Sequence, residues 1–520
     1  MRMPIPTGDG SSMPSSRKLL WLIILLGVAA RLYHIDAPFA DWHQYRQFDT
    51  AAIARNFAEN SPNLFYPQVD WRGNSPGYVE VEFQVFTFMV AALYRVFGVH
   101  EWLARVLNLF FYAGTTILLY RLTRAVFNRR TALFAAGFYS FLPLSYSVSH
   151  NFQPDTFMVL CTLAGIYYFW RWTEETDWKW LAIGGLSLAI AVLIKPFCLY
   201  AGVPLIYLCW RKFGGRFLVN PVLWVFAVLV MAPMAAWYLH AFKLWTLYGN
   251  TFGIFGGRIK GMYLGGDIPS TGTLLRNLGW RLVWEIATPP GLLLLIAGLF
   301  VRPPSRNYVF HWWVLAFLAT VPLVPAGHSG HNYYQLPLVL IAAPAMAYGL
   351  VWLMDHGIFS WRMAALACVL ILAFCAWGIR PMIASGQELE ERIAFGKRVA
   401  QLVPDQALIV FSYPLNYKPS WYSHRTLDGD LIAGDPTDFY NSHRKGWSLF
   451  AWQTSPEMLQ KLQKHHAQYF ATFFPKYLYE QSPQIKAFLE TEAMPIEVKG
   501  RWLIYRLPTP DTSSASPGGF

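Results

Sequence analysis

The chain alternates long apolar runs with short polar ones, and the length of the apolar runs sets the reading. Leu19–Tyr33, PVLWVFAVLVMAPMAAW from Pro221 and MAALACVLILAFCAW from Met363 hold few or no charges. Runs of this length cross the hydrocarbon core of a bilayer as helices. The pattern predicts an all-α polytopic membrane protein with about eleven crossings, once loop charge decides the direction of each. Arg17 and Lys18 put the N-terminal tail (1–18) in the cytoplasm, so residues 36–100 form a first outer loop. Arg121, Arg124, Arg129 and Arg130 make the most basic stretch and belong inside. Both placements hold only if the short segment Phe83–Gly98, which carries Arg95, lies along or dips into the outer face. HNFQPD, with Asp155, then shares that face.

Further along, Thr156–Trp170 returns to the inside. Leu181–Trp210 is too long for one helix, has basic flanks at both ends and holds Lys195-Pro196 at its middle. It predicts a helical hairpin with Lys195 at the outer turn. Pro221–His240 leads to a second large outer loop, 241–285, which holds Arg258. Tyr308–Pro325 leads to AGHSGHNYYQLP, Leu336–Met354 comes back, and Trp361–Trp377 exits. Residues 19–380 thus form the transmembrane domain. Beyond it the apolar period shortens. ELEERIAFGKRVAQLV predicts an amphipathic helix, ALIVFSY a strand, and PEMLQKLQKHHAQYFATFF a helix running into a strand. PQIKAFLETEA predicts a helix and RWLIYRL an edge strand. The expectation is a small extracytoplasmic α/β domain over 381–508, followed by a disordered polar tail, 509–520.

Composition agrees with this class. The chain of 520 residues is 55% hydrophobic and 14% charged, with a mean hydropathy of +0.29, whereas soluble domains carry about 25% charge. The net charge of +12 is therefore read loop by loop, as topology and lipid attraction, and no nucleic-acid partner is expected. All five cysteines lie in apolar runs, which predicts neither a disulfide framework nor a zinc site. The first span lacks a small-residue cleavage site and reads as retained. No glycine-rich loop sits in a strand–helix context, so a nucleotide-driven pump is not expected.

The candidate chemistry lies in the polar stretch Asp41–Glu82, DWHQYRQFDTAAIARNF followed by NLFYPQVDWRGNSPGYVEVEF. Ionisable groups beside a bilayer mark function by default. The outer face collects Asp41, His43, Arg46, Asp49, Glu80, Glu82, Asp155, Lys195, Arg258, His331, Tyr333 and Tyr334. Cations hold a phosphate by charge-assisted hydrogen bonds, and a carboxylate takes the proton of an acceptor hydroxyl. Together they suit transfer of a sugar from a lipid-linked phosphosugar with inversion. Asp41 or Asp49 is the expected base, largely ionised at working pH, with Asp155 in support; the other nine are expected to bind substrate. Each has a plainer reading: Asp155 as a helix N-cap, Lys195 snorkelling to the interface, and His331, Tyr333 and Tyr334 as an interfacial aromatic belt. Asp70 reads as a solvated loop charge.

Over about residues 19–380 the order of motifs resembles the GT-C membrane glycosyltransferases, in particular the protein O-mannosyltransferase and lipid A aminoarabinose transferase group. The motifs are the acidic first outer loop, PGYVEVEF before an apolar segment ending at Gly98, EWLARV opening a span, the Asp of HNFQPD, Lys195-Pro196 and HNYYQLP. The resemblance implies a polyprenyl-phosphate sugar donor and a lipid, glycan or protein acceptor. It also implies a multi-pass plasma membrane location, the bacterial inner membrane, with an extracytoplasmic active site. Two positions depart from the group. Arg46-Gln47 stand where members carry an Asp-Glu pair, and Glu82-Phe83 stand where a donor-binding Lys-Pro is common. Glu82 is open to two readings, a ligand of a divalent metal with other carboxylates or an acceptor of sugar hydrogen bonds, and no cofactor is otherwise implied. Two other functions remain: an oligosaccharide ligase or polymerase on the same fold, and a lipid-linked sugar flippase or transporter. No inverted repeat with broken helices favours the transporter.

Overall fold

The computed structural model describes residues 15–39, 43–254, 270–414, 424–425, 431–432 and 434–509. Asp41 and Arg258 lie outside them. The chain divides into two compact units, each assembled from separated stretches.

The first unit, Met1–Ala37, His100–Tyr238 and Lys260–Ala384, is built of helices. Among the described residues, four stretches are long and apolar enough to cross a membrane unaided: Trp102–Val126, Pro221–Tyr248, Asn332–Asp355 and Trp361–Leu402. Two bent pairs, Arg129–Phe141 with Pro143–His150 and Thr271–Ala287 with Pro289–Phe300, make two further spans if each pair is one. The remaining expected crossings fall on shorter or more polar helices, among them Ser15–Leu32, Asp155–Glu175, Trp178–Ile194 and Val309–Leu323.

Local sequence explains where these helices start. The Asn128 side chain accepts from the Thr131 amide, Asp177 from Lys179 and Ser360 from Met363, each satisfying a free amide of a first turn. Small residues set the closest approach. A Cβ on Gly298 would fall on the Ala345 carbonyl, and one on Gly349 on the Leu294 carbonyl. The Pro289–Phe300 and Leu336–Asp355 helices therefore touch backbone to backbone, as helices do where lipid offers no hydrophobic drive. Arg31, wholly buried at the end of the first helix, is held by Ser149 Oγ at 2.6 Å and the Ser140 carbonyl at 2.8 Å, with its guanidinium 4.0 Å from the Tyr112 ring centre.

The long apolar run does break at Lys195, between Trp178–Ile194 and a 3-10 turn, Pro196–Ala201, that leads into Gly202–Phe213. The expected loop 241–285 is corrected. The Pro221–Tyr248 helix continues past His240, and residues Thr271–Arg281 and Leu282–Ala287 are an α-helix and a π-helix. The apolar pattern that ended at His240 resumes as KLWTLY, so the helix had reason to go on.

The second unit joins Pro38–Val99, Leu239–Ile259 and Ser385–Phe520. Its centre is a five-stranded sheet in the order Lys445–Phe450, Leu408–Tyr413, Ala467–Thr472, Trp502–Arg506, Met494–Lys499. The first three strands are parallel and the last two run antiparallel to their neighbours. RWLIYRL is thus an interior strand, which corrects the edge expectation: the partly exposed Met494–Lys499 takes the edge and leaves Leu503, Ile504 and Tyr505 buried.

Residues of the Pro38–Val99 stretch share the sheet's core. Ile53, Phe57, Val69, Trp71, Val79 and Val81 pack in one cluster with Phe395, Ile409, Phe411, Phe439, Trp447 and Phe470. Backbone bonds add to it, Gly73 N–H to the Gly446 carbonyl at 2.6 Å and Gly446 N–H to the Asp70 carbonyl at 3.2 Å. The Pro38–Val99 stretch gains a core in this way, because burial of its scattered apolar residues needs a partner surface.

Candidate functional site

In the second unit the helix Gln44–Glu59 carries the ionisable residues that the sequence singled out. It begins after His43, whose backbone is left-handed (φ 65°). Asp49 is buried and accepts a hydrogen bond from Trp71 Nε1 at 3.1 Å. Burial pushes its carboxyl up to about 8; the Trp71 bond and the Arg46 charge pull it down, while Asp435 and Asp70 add to the rise. Burial thus works against the largely ionised carboxylate that the sequence leads one to expect. A group poised near the operating pH is well matched to proton transfer.

Arg46 does not pair with Asp49, one turn on. It forms an ion pair with Glu82, and its guanidinium lies 5.6 Å from the Phe252 ring centre. Glu82 is thus an arginine partner; among the described residues no group of three or more His, Cys, Asp or Glu is arranged to hold a metal. Glu80 is fully buried, and the Thr251 hydroxyl donates to its carboxylate. The two meet because Val79–Glu80 pairs in parallel with Asn250–Thr251, and the Phe252 amide donates to the Glu80 carbonyl at 2.9 Å. Asp70, expected to be solvated, is buried instead. It accepts from Arg55 at 2.7 Å and from Asn56 at 2.9 Å.

In the first unit a second charged centre forms. Lys195 Nζ lies 2.5 Å from Asp155 Oδ1, with side chains 12% and 1% exposed. Both plainer readings give way. Asp155 makes no capping bond, since Pro154 holds the cap position, and Lys195 turns inward to a carboxylate. The ammonium lies 4.2 Å from the Tyr333 ring centre and 5.4 Å from that of Tyr334. His331 stacks on Tyr333 at 5.1 Å, so two tyrosine rings face Lys195 and His331 backs one of them.

Sequence reasoning missed several residues. Trp71, Thr251 and Phe252 hold the acidic centre of the second unit, and only an aromatic in a polar loop hinted at Trp71. In the first unit Glu285 is buried against Asn332 Nδ2 at 2.8 Å. Arg281 reaches the Ser329 carbonyl at 2.8 Å and Gln335 Oε1 at 3.1 Å. A carboxylate inside the apolar context LVWEIA was the available signal. The next residue, Thr288, has φ 68° and ψ 154°, a strained backbone for a β-branched residue.

A family model described as dolichyl-phosphate-mannose-protein mannosyltransferase matches residues 84–240. The putative mannosyltransferase YycA of Bacillus subtilis (strain 168) is 25% identical over 191 residues, 36% of this chain and 26% of that protein. The match thus spans about a quarter of that relative's length. Among solved structures, ArnT from Cupriavidus metallidurans bound to undecaprenyl phosphate superposes with a TM-score of 0.63 at 14% identity, over 97% of this chain and 100% of that one. The Archaeoglobus fulgidus oligosaccharyltransferase in its apo form gives 0.56 at 11% identity, over 92% and 73%.

Proposed function

We propose, for a chain that has the GT-C fold and is like the protein mannosyltransferase and ArnT group, that it transfers a sugar from a polyprenyl-phosphate donor to a lipid, glycan or protein acceptor. The likeness in family and fold supports a membrane glycosyltransferase. The reading of its chemistry rests chiefly on one observation, a buried Asp49, on the helix that also carries Arg46, that accepts a hydrogen bond from Trp71.

In this mechanism the ionised Asp49 takes the proton of the acceptor hydroxyl. The acceptor oxygen forms a bond to the anomeric carbon as the bond from that carbon to the phosphate oxygen breaks. Polyprenyl phosphate leaves with the electron pair, and a single displacement inverts the anomeric centre. Arg46 has five N–H donors in a fixed fork. Glu82 engages one side and orients the guanidinium, and the remaining donors serve the leaving phosphate. Glu80 and His43 are assigned to sugar hydroxyls. In the other unit Lys195 is assigned to phosphate binding and Asp155 to holding the ammonium, with Tyr333, Tyr334 and His331 shaping its surroundings. Asp41 and Arg258 keep their expected roles as a second candidate base and a donor ligand. The reaction is assigned to the extracytoplasmic face of the plasma membrane.

Deletion of the gene tests the reading. Mass spectrometry of envelope lipids and glycans is expected to show one product short of a single sugar unit, restored by the wild-type gene and not by Asp49→Asn. Full restoration by Asp49→Asn would remove Asp49 as the base, and an unchanged envelope would remove the transferase reading.

A further inference from the structure

The second unit contains a short helix, Thr437–Ser442, that touches neither Asp49 nor Arg46 through any described hydrogen bond yet grips the helix on which both stand. At its first turn Asp438 is buried, and Arg392 of the Gln387–Leu402 helix meets it as a fork, Nε to Oδ1 at 3.0 Å and Nη2 to Oδ2 at 3.1 Å. The same guanidinium reaches Asp435 at 3.0 Å. Tyr45, next in sequence to Arg46, lies within electrostatic reach of the same guanidinium and of Asp435.

Two residues on, Tyr440 completes the grip. Its ring centre lies 5.5 Å from that of Phe48 and 6.0 Å from that of Phe39, and Phe39 and Phe48 are 5.4 Å apart. Its carbonyl accepts from Arg55 Nη1 at 2.8 Å, while the Arg55 guanidinium lies 4.7 Å from its ring centre. Phe48 and Arg55 are seven residues apart and so share a helix face. Phe48 immediately precedes Asp49. The Gln44–Glu59 helix is thus held at Phe48 and Arg55, two points on one face seven residues apart.

We propose that the Thr437–Ser442 helix, through Tyr440 and the Arg392–Asp438 fork, is the positioning device that sets where Asp49 and Arg46 stand. The inference rests on the reading of Asp49 as base. A buried carboxylate and a partly exposed one on one buried guanidinium are a poor stability device, since apolar replacements of buried ion clusters are often neutral or better. A bidentate fork fixes direction, and a displacement of about 1 Å at a catalytic group can cost about a hundredfold in rate. Tyr440, Asp438 and Arg392 are positioning residues: they act through the helix. Asp435 adds an electrostatic part. Asp49 is faced by Trp71 and Arg46, which favour its ionised form, and by Asp435 and Asp70, which oppose it.

The test compares Tyr440→Ala, Tyr440→Phe, Arg392→Lys and Asp435→Asn in the purified full chain. The readout is transfer from undecaprenyl-phosphate mannose, as probe donor, to envelope membranes of a deletion strain. Tyr440→Ala is expected to lower kcat by about ten- to a hundredfold, with the donor KM within about threefold. Tyr440→Phe keeps ring and carbonyl and should behave as wild type. Arg392→Lys loses the fork and should lose kcat while folding. Asp435→Asn should move the acid limb of the pH–rate profile to lower pH. If Tyr440→Ala does not fold, Arg392→Lys decides. Folded variants with wild-type kcat and pH midpoint would overturn the proposal, as would losses confined to thermal stability. Asp49→Asn separates the two claims. Active Asp49→Asn sinks the base assignment, whereas inactive Asp49→Asn beside normal Tyr440→Ala and Arg392→Lys sinks only the positioning role.

Discussion

Replacing Lys195 by Met should unbalance one charge without changing much volume. Asp155 is 1% exposed and has Lys195 Nζ at 2.5 Å, so Lys195→Met leaves a buried carboxylate without its ammonium partner. Removing one partner of a buried pair costs about 3–5 kcal/mol. The Tyr333 face, 4.2 Å from the ammonium, contributes within that figure, because a cation–π contact of about 0.5–2 kcal/mol is lost in the same step. Lys195 is 12% exposed, and slight solvent access puts the expected cost at the lower end, about 3 kcal/mol. At about 2 °C per kcal/mol for a large domain, the unfolding midpoint should fall by about 6 °C.

Lys195→Met with Asp155→Asn removes both charges and keeps both shapes, so most of the loss should return. Thermal unfolding in detergent, followed by circular dichroism across the four-member cycle, measures the coupling directly. A midpoint within 1 °C of wild type for Lys195→Met, or no recovery in the double variant, would refute the argument that this is a buried, mutually dependent pair. The double variant also separates stability from function. It should be stable and yet transfer sugar at least about a hundredfold more slowly, as expected when a donor-binding charge is gone.

Asp49 sets a pH dependence: its folded carboxyl is raised, so the active ionised form grows with pH, and the transfer rate should climb about tenfold from pH 6 to 7, reach half its maximum near 8 and level off above that; a flat profile between pH 6 and 9 would contradict it. Trp71→Phe removes the bond that favours the carboxylate and should move that limb to higher pH, by up to about one unit. Arg46→Lys keeps the charge and loses the fork, so the donor KM should rise about tenfold with the fold intact, read by steady-state kinetics and circular dichroism. Gly298→Ala forces a methyl onto the Ala345 carbonyl and should cost about 1–3 kcal/mol or more, seen as a lower unfolding midpoint, whereas Ala at Gly202, where a Cβ meets nothing, should not.

Most helices were legible in the sequence because their signals are local. Apolar length, the Asn128 and Asp177 caps and the Lys195-Pro196 break are each written within a few residues. The strands Leu408–Tyr413 and Ala467–Thr472 were legible for the same reason. Pairing is not local. Nothing in RWLIYRL tells whether another strand covers its outer side, and nothing in Asp70 tells that Arg55 and Asn56 will bury it.

The candidate site divides along the same line. That Arg46, Asp49, Asp155 and Lys195 are unusual followed from charge in a chain with little of it. Their partners did not follow: Glu82 for Arg46, Trp71 for Asp49, Lys195 for Asp155. Partner choice also fixes protonation, which is why Asp49, read from the sequence as an ionised base, is raised to about 8 by its burial. The grip of Tyr440 on Phe48 and Arg55 spans some 390 residues of chain and left no trace in either segment alone.

The central claim is that this protein forms a glycosidic bond at the expense of a polyprenyl-phosphate sugar. The most direct measurement offers the purified full chain in detergent a panel of radiolabelled undecaprenyl-phosphate hexoses and pentoses, with envelope membranes of the deletion strain as acceptor. The expected result is label in the acceptor from one donor, undecaprenyl phosphate released in equal amount, and neither with Asp49→Asn. No transfer from any donor in detergent, with lipid-linked sugar instead crossing sealed vesicles that contain the protein, would contradict the account and make it a transporter.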